Sequence, residues 1–249
     1  PYIALMDGVT MGGGVGMSVH GSHRVVSDRI LFAMPETGIG LFPDIGASWF
    51  LPCCPGEIGM YLGLTGHRLR AADTLYAGIG DVHVPADRDE DLIAALVAAT
   101  TLDGDGVADI LRDFAVDPGE APLAAHRDAI DRCFAGDSVE DILARLAAED
   151  SDWARTQIET LASKSPTALK VTHRQLRLGA RIESIADIMA MEYRLADRSF
   201  RGHDLFEGIR AVVIDKDGAP QWDPATLDAV SDADVDDYFE PVAGEPSFG

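Results

Sequence analysis

Short apolar runs, each closed by turn-forming residues, make up the first part of the chain. Residues 2–6 are apolar and end at Asp7-Gly8, which predicts a buried strand closed by a turn. Two further runs, 24–26 and 30–33, predict two more strands. Before these two strands, glycines are followed by small and apolar residues without a breaker, which predicts a helix that begins within the glycines.

The pattern then alternates between helix and strand. Helices are predicted over 57–64 and 71–77, each with a glycine just beyond its end. A strand over 79–84 and a helix over 89–99 follow. Strands that alternate with helices form βαβ units, so we expect an α/β fold with a largely parallel sheet.

The remainder of the chain is predicted to be mostly helical. A stretch rich in Gly and Asp, 100–122, is typical of a connection and is a candidate hinge. Beyond it, Ser138 and Ser184 each precede a carboxylate by three residues, a pattern typical of helix starts. We therefore predict a core domain over 1–102 and a helical region over 103–249 that covers the functional site, mediates oligomerisation, or both.

Charge is the most unusual feature of the composition. The 249 residues are 47% hydrophobic, which is ample for a buried core, yet they carry a formal net charge of −22. A field of that sign repels nucleic acid and anionic membrane surfaces, so neither is expected as a partner. An anionic ligand requires local positive charge at its own site.

Cysteine content and hydropathy bear on the compartment. Cys53, Cys54 and Cys133 form no metal-binding pattern, and this sparse, odd count predicts a reducing, cytoplasmic location. No run of 18 apolar residues occurs that would predict a transmembrane helix. Because the sequence begins at Pro1, directly in a strand-like run, we expect it to be an N-terminally incomplete part of a longer protein.

The glycines after the first strand are suited to binding an anion. Gly12, Gly13 and Gly14 permit backbone conformations and close approaches that a Cβ atom blocks. The first amides of a helix that starts there lack intrahelical acceptors and attract the negative charge of a developing oxyanion. A tight strand-to-helix turn that binds no ligand is the alternative, and these residues alone fit both interpretations.

Two carboxylates, Glu36 and Asp44, lie in a segment made mostly of Gly, Pro and apolar residues. Burying an acid is costly unless it is hydrogen-bonded, and burial raises its pKa towards the range useful for proton transfer at neutral pH. The segment therefore predicts a pair of catalytic carboxylates. The alternative is a structural cap at Asp44 and a surface acid at Glu36.

Several long motifs cover nearly the whole chain in one order. They are DGVTMGGGVGMSVHG (7–21), FAMPETGIGLFPDIGASWFLP (32–52), LTGHRL (64–69), SPTALKVTHRQL (165–176), MEYRL (191–195) and RGHDLFEGIRAVVIDKDGAPQW (201–222). In this order they resemble the crotonase superfamily of acyl-CoA enzymes, and most of all its branch of thioester hydrolases. The resemblance implies an α/β fold built as a ββα spiral with a helical C-terminal region, whose N-terminal part is absent from this sequence.

The resemblance also implies roles for individual residues. Gly13 matches an oxyanion-hole glycine that acts through its backbone N–H, with Gly12 and Gly14 beside the substrate. Glu36 matches a catalytic carboxylate shared with enoyl-CoA hydratases, and Asp44 matches the second acid of the hydrolase branch. The partner amide of the oxyanion hole and a further acid are expected upstream of this sequence.

Three further residues are assigned to substrate binding. Phe42 is one of them, and Trp49, which with Phe50 lies close to Asp44 in sequence, is expected to line the acyl pocket, with core packing as the alternative. Lys216 matches a region where the family places a lysine against the CoA nucleotide, with a surface lysine as the alternative. No metal site is predicted because the histidines do not cluster, and no cofactor is predicted because CoA is part of the substrate.

One departure from the family pattern separates hydrolysis from hydration. Hydratases that resemble this chain carry a second catalytic glutamate two residues past Gly14, where this chain has Gly16. The resemblance therefore implies hydrolysis of a short 3-hydroxyacyl-CoA, first of all 3-hydroxyisobutyryl-CoA in valine catabolism. An enoyl-CoA hydratase or isomerase and a non-catalytic acyl-CoA-binding subunit are the alternatives.

The mechanism and the assembly are left open by the sequence. In one route Glu36 attacks the thioester, and in the other it activates a water molecule. The sequence does not distinguish these two routes. The acyl-CoA substrate is the expected partner. Family members also form trimers or hexamers, so a homo-oligomer is expected, with a smaller assembly as the alternative.

Overall fold

The computed structural model describes residues 1–100 and 103–247, and it divides into two compact units. Each unit is formed from two separate stretches of chain. The first unit comprises Pro1–Ala33 and Arg68–Arg127, and the second comprises Met34–His67 and the described chain from Asp128 onwards. The predicted division into 1–102 and 103–249 stays a prediction, and its boundary involves residue 102, which lies outside the described residues.

The strands of the described chain are short and all belong to the first unit. They are β1 (Ile3–Met6), β2 (Val9–Thr10), β3 (His23–Val26), β4 (Leu31–Phe32) and β5 (Val82–His83). The helices in residues 1–100 are α1 (Gly13–Ser18), α2 (Ala47–Phe50), α3 (Ile58–Thr65), α4 (Ala71–Tyr76) and α5 (Asp89–Ala98). Those in residues 103–247 are α6 (Gly104–Phe114), α7 (Arg127–Phe134), α8 (Val139–Glu149), α9 (Asp152–Ala162), α10 (Pro166–Gly179), α11 (Ile185–Ser199), α12 (Asp204–Ile209) and α13 (Asp232–Phe239).

Two parallel sheets organise the first unit, as the alternating pattern predicted. One sheet has the order β1-β3-β5 and the other pairs β2 with β4. β1 and β2 are separated only by a turn at Asp7 and Gly8, and β3 and β4 are separated by the four residues 27–30. At this corner the Asp7 carboxylate accepts hydrogen bonds from Ser27 (2.5 Å) and Arg29 (2.9 Å). The repeated strand, strand, helix order is the expected ββα spiral.

The prediction of a connection over 100–122 is wrong over Gly104–Phe114, which form α6, whereas residues 115–121 contain neither helix nor strand. The Asp103 side chain caps this helix by accepting from the Gly106 amide at 2.8 Å. Val107 and Leu111 are buried one turn apart, where they join a hydrophobic cluster with β3 and α5. The sequence pattern did not predict this helix because its first turn is rich in glycine and aspartate. Residues 101 and 102 of the stretch lie outside the described residues.

Within its described residues, the second unit contains helices joined by loops and no strand. All eight residues of α3 are buried, and this helix packs against α9 and α10. The start of α10 has Ser165 as N-cap, whose hydroxyl accepts from the Ala168 amide at 3.0 Å, followed by Pro166 in the first turn. Ser138 and Ser184 cap α8 and α11, as predicted. Among the described helices, none combines the length and apolar character needed to cross a membrane.

Candidate active site

Glu36 begins a short 3-10 helix, Glu36–Ile39, in the second unit. The turn ends at Gly40, which has a φ of 72°. Only glycine fits there, because a Cβ atom would lie 2.4 Å from the backbone of Asp204 in α12. Because of this close approach, α12 packs against the turn and fixes the conformation of the turn.

Thr37 anchors the same turn to two long helices. Its hydroxyl is fully buried and donates to the carbonyl of Leu64 in α3 at 3.0 Å. Its own carbonyl accepts from the amide of Ser165, the N-cap of α10, at 3.1 Å. The backbone that carries Glu36 is therefore held from both sides by buried hydrogen bonds.

The Glu36 side chain is buried, and this burial sets its acidity. The residue is only 5% exposed, and its Oε2 atom has no hydrogen-bond partner among the described residues. Loss of hydration raises the pKa of Glu36 to about 8, the negative charge of Asp44 adds to this rise, and its own backbone amide partly offsets it. A buried carboxyl with an unpartnered oxygen and a pKa near neutrality is suited to proton transfer or nucleophilic attack.

Asp44 lies in a strained segment that leads into α2. Its side chain is partly buried, and desolvation raises the pKa of Asp44 as well. The next residue, Ile45, has a φ of 60°, a conformation that costs a β-branched residue energy, and Gly46 follows at 79°. The structure thus brings Glu36 and Asp44 close enough for the charge of one to affect the titration of the other.

A buried polar network that the sequence pattern did not predict surrounds this segment. Glu192 of α11 is 6% exposed and accepts hydrogen bonds from the Gly46 amide (2.7 Å), the Ser48 amide (3.0 Å) and the Ser48 hydroxyl (2.7 Å). Gln175 of α10 donates to the Pro43 carbonyl (2.6 Å) and to the Ser48 hydroxyl (2.8 Å). Burial raises the pKa of Glu192, and its hydrogen bonds from Ser48 and Gly46 act in the opposite direction. The signal in the sequence was an acid on the apolar stripe of a helix.

The predicted glycines lie in the first unit, where α1 begins. Gly12 is the residue before α1 and has φ 50° and ψ −126°, a conformation that side chains disfavour. Gly13 is the first residue of the helix, and its amide donates to no acceptor within the described part of the chain. Gly13 and Gly14 are exposed, and a Cβ atom added to Gly13 would meet nothing within 4 Å.

The residues predicted to bind substrate differ in their surroundings. Phe42 is 1% exposed and packs in a hydrophobic cluster of the second unit, on the wall of a cavity of about 410 Å³. Trp49 lies on α2 and is partly buried. Lys216 is exposed with a φ of 56°, between Asp215 and Asp217, which both accept hydrogen bonds from Arg210. Their role in substrate binding stays a prediction.

His203 and Asp204 have separate hydrogen-bond partners, and no metal centre was found in the described residues. His203 hydrogen-bonds the carbonyl of Gln221 at 2.9 Å, whereas the Asp204 carboxylate accepts from Ser165 (2.5 Å) and from the Asp223 amide (2.9 Å). Across residues 1–100 and 103–247, no group of three or more His, Cys, Asp or Glu side chains is placed to hold a metal ion.

Comparison with known families defines the class of protein. The profile described as enoyl-CoA hydratase/isomerase matches residues 1–239. The chain therefore belongs to the enoyl-CoA hydratase/isomerase family, and the predicted crotonase resemblance and fold class are confirmed.

Individual relatives give a finer comparison. A protein from Gallus gallus named 3-hydroxyisobutyryl-CoA hydrolase, mitochondrial, is 46% identical over 247 residues, which cover 97% of this chain and 64% of that protein. Crystal structures of a carnitinyl-CoA dehydratase from Mycobacterium thermoresistibile and an enoyl-CoA hydratase from Rhodobacter sphaeroides 2.4.1 match with TM-scores of 0.90 and 0.84, at 42% and 38% identity. Each match covers 98% of this chain and 69% of the solved chain. The chain thus spans less than two thirds of the hydrolase that it resembles.

The comparison contradicts the predicted cytoplasmic location. The relatives that match nearly the whole chain include hydrolases named as mitochondrial, from Gallus gallus among others. The prediction was wrong because it rested on unpaired cysteines, which indicate a reducing environment but do not distinguish one reducing compartment from another.

Proposed function

We propose that the protein hydrolyses the thioester of a short 3-hydroxyacyl-CoA, first of all 3-hydroxyisobutyryl-CoA, to the free acid and CoA. Glu36 carries this proposal, because it is a buried carboxyl with one unpartnered oxygen and a pKa raised to about 8. The name of the relative from Gallus gallus supports the same substrate. A place for this reaction in valine breakdown is part of the proposal. Helix α1 supplies no acid, since its sequence is GGVGMS, which favours hydrolysis over hydration by two glutamates.

The proposed reaction uses Glu36 as a carboxylate. In one route it removes a proton from water, and the water oxygen attacks the thioester carbonyl carbon. In the other route the carboxylate attacks that carbon, and water then hydrolyses the anhydride. In both routes the C–S bond breaks, CoA leaves as a thiolate that takes up a proton, and the free acid is released.

Two other predicted residues have roles in this proposal. Asp44 binds the 3-hydroxyl of the substrate or orients Glu36 and the water molecule. The free amide of Gly13 donates to the oxyanion that forms when the carbonyl is attacked. Acyl-CoA as the partner, a reaction without a cofactor, and assembly into trimers or hexamers remain predictions beside this proposal.

The hydratase or dehydratase reaction is the second candidate, because two solved structures that resemble the chain carry those names. Two incubations distinguish the candidates. Release of CoA from 3-hydroxyisobutyryl-CoA supports hydrolysis, whereas loss of the enoyl absorbance of crotonyl-CoA supports hydration. Binding without either reaction supports a non-catalytic acyl-CoA-binding subunit. Because Cys53 is an exposed thiol, CoA is quantified by chromatography rather than by a thiol reagent.

Replacing Gly13 with alanine keeps the amide N–H but adds a methyl group beside it, so kcat is expected to fall by at most about 10²–10³-fold, the usual effect of losing one oxyanion donor. A methyl group at this position meets no protein atom within 4 Å, so the fold tolerates it, but it limits how closely a carbonyl can approach the amide. Gly104→Ala is the matched control, because Gly104 is also the first residue of a helix with open space at its Cβ. Unchanged kcat in Gly13→Ala would argue against the role of this amide.

A further inference from the structure

The segment formed by residues 43–48, here called the Asp44 segment, adopts a conformation that its own sequence does not favour. Ile45 has a φ of 60°, in the left-handed region that suits glycine rather than a β-branched residue. Gly46 continues in that region with a φ of 79° before α2 begins. Such backbone strain persists only where surrounding structure enforces it. The Asp44 segment therefore requires external contacts to keep its shape.

Glu192 supplies three of these contacts from α11. Its two carboxylate oxygens accept from the Gly46 amide at 2.7 Å and from the amide and hydroxyl of Ser48 at 3.0 and 2.7 Å. Charge-assisted hydrogen bonds of this kind are stronger than neutral ones, and Glu192 is only 6% exposed. The carboxylate thus fixes the backbone immediately after Ile45.

Gln175 holds the other end of the segment from α10. Its amide nitrogen donates to the Pro43 carbonyl at 2.6 Å and to the Ser48 hydroxyl at 2.8 Å, and the residue is fully buried. Asp44 and Ile45 therefore lie between Pro43, which α10 holds, and Gly46, which α11 holds. The Ser48 hydroxyl belongs to both sets of contacts, donating to Glu192 and accepting from Gln175.

We propose that Glu192, supported by Gln175, is a positioning residue that fixes the Asp44 carboxyl for the reaction and does not itself touch the substrate. The inference rests on the proposed function, in which Asp44 orients the substrate hydroxyl or the attacking water. A displacement of about 1 Å in such a group can reduce a rate by about 10²-fold. Glu192 thus acts on catalysis through the backbone of the Asp44 segment.

Glu192→Gln is the main test, because it keeps the size of the side chain but presents an NH₂ donor to groups that are themselves donors. We expect kcat to fall by about 10²-fold while KM changes little. We also expect faster hydrogen–deuterium exchange confined to the Asp44 segment. The Asp44→Asn, Glu192→Gln double variant is expected to be no slower than Asp44→Asn alone, because both changes disable one group.

A matched control and a milder variant separate positioning from general destabilisation. Asp73→Asn changes a carboxylate of similar burial, 5% exposed, that accepts from the Leu123 amide in the first unit, and it is expected to keep kcat. Ser48→Ala removes the hydroxyl that Glu192 and Gln175 share but leaves the backbone intact. If Glu192→Gln does not fold, Ser48→Ala is expected to show the same local exchange and a smaller loss of kcat.

Exchange and activity together decide the outcome. Unchanged exchange over residues 43–48 in both variants overturns the proposal, whatever the activity. Unchanged kcat with faster exchange overturns it as well, and so do losses that simply add in the double variant. If the parent protein releases no CoA from any 3-hydroxyacyl-CoA, the proposed function fails, whereas the exchange data still report separately whether Glu192 holds the segment.

Discussion

Replacement of Glu36 by glutamine is expected to reduce kcat for 3-hydroxyisobutyryl-CoA by about 10²–10⁴-fold, the range that a positioned acid–base group contributes. Glutamine has nearly the same shape, but it neither accepts a proton from water nor attacks a carbonyl carbon. Release of CoA followed by chromatography measures the loss. Asp73→Asn serves as the control. It also replaces a carboxylate with an amide at a residue that is 5% exposed, but Asp73 has no role in the proposed reaction.

The pH dependence of the parent enzyme tests the same residue. Both proposed routes need the Glu36 carboxylate, whose pKa is raised to about 8, so kcat/KM is expected to rise with pH and to level off above about 8. Below that value the fall approaches tenfold per pH unit. A Glu36→Gln variant that keeps the parent rate would remove Glu36 from the mechanism, and a parent profile that is flat between pH 6 and 9 would contradict the raised pKa of Glu36.

The stability of the protein is expected to depend on Glu36 with a predictable sign. Unfolded, this carboxyl titrates near 4.5, whereas burial raises its pKa in the folded state to about 8. Between these values the folded protein holds a proton that the unfolded chain has released, so the free energy of unfolding decreases as pH rises. The slope is about 1.4 kcal/mol per pH unit, which accumulates to about 5 kcal/mol at most by pH 8.

Urea unfolding of the parent and of Glu36→Gln at pH 4, 6 and 8 measures this effect. As pH rises, the stability of Glu36→Gln should increase relative to that of the parent, because the parent loses the contribution of the Glu36 proton and glutamine has no such proton. Glu207→Gln is the contrasting control. In the parent protein, hydrogen bonds from Arg210 and from the Gln221 amide lower the pKa of Glu207 to about 2. The Glu207 carboxylate therefore stabilises the fold above pH 4.5, and this stabilisation is lost as the pH falls towards 2. Parallel curves for the parent and Glu36→Gln would show that Glu36 is ionised in the folded protein at neutral pH.

The fold could be predicted from the sequence where local patterns were strong. The runs that became β1, β3 and β4 were short and apolar, and a turn bounded each of them. The capping serines of α8 and α11 marked helix starts correctly because that hydrogen bond is local. Helix α6 was missed because its first turn, Gly104 to Gly106, is rich in residues that favour turns, while tertiary packing of Val107 and Leu111 stabilises it.

The site could be predicted only in part, and for a physical reason. Glu36 and Asp44 were singled out as candidates because acids are conspicuous among glycines, prolines and apolar residues, and the structure shows that both are at least partly buried. Glu192 was overlooked although it shares the buried face of α11 with Ile188 and Leu195, where a carboxylate needs a partner. Its partners are backbone amides some 140 residues earlier, and such long-range contacts leave no local signature in the chain.

The interleaved order of the two units affects how the protein emerges from the ribosome. Helix α3 is made of Ile58–Thr65 and has no exposed residue, yet its neighbours α9 and α10 begin at Asp152 and Pro166. At about 5–20 residues per second, translation of the intervening stretch lasts roughly 5–20 s. During that interval an apolar helix lacks the surfaces that later enclose it. At this stage the apolar surface of α3 is available to chaperones or to other nascent chains until α9 and α10 have been made.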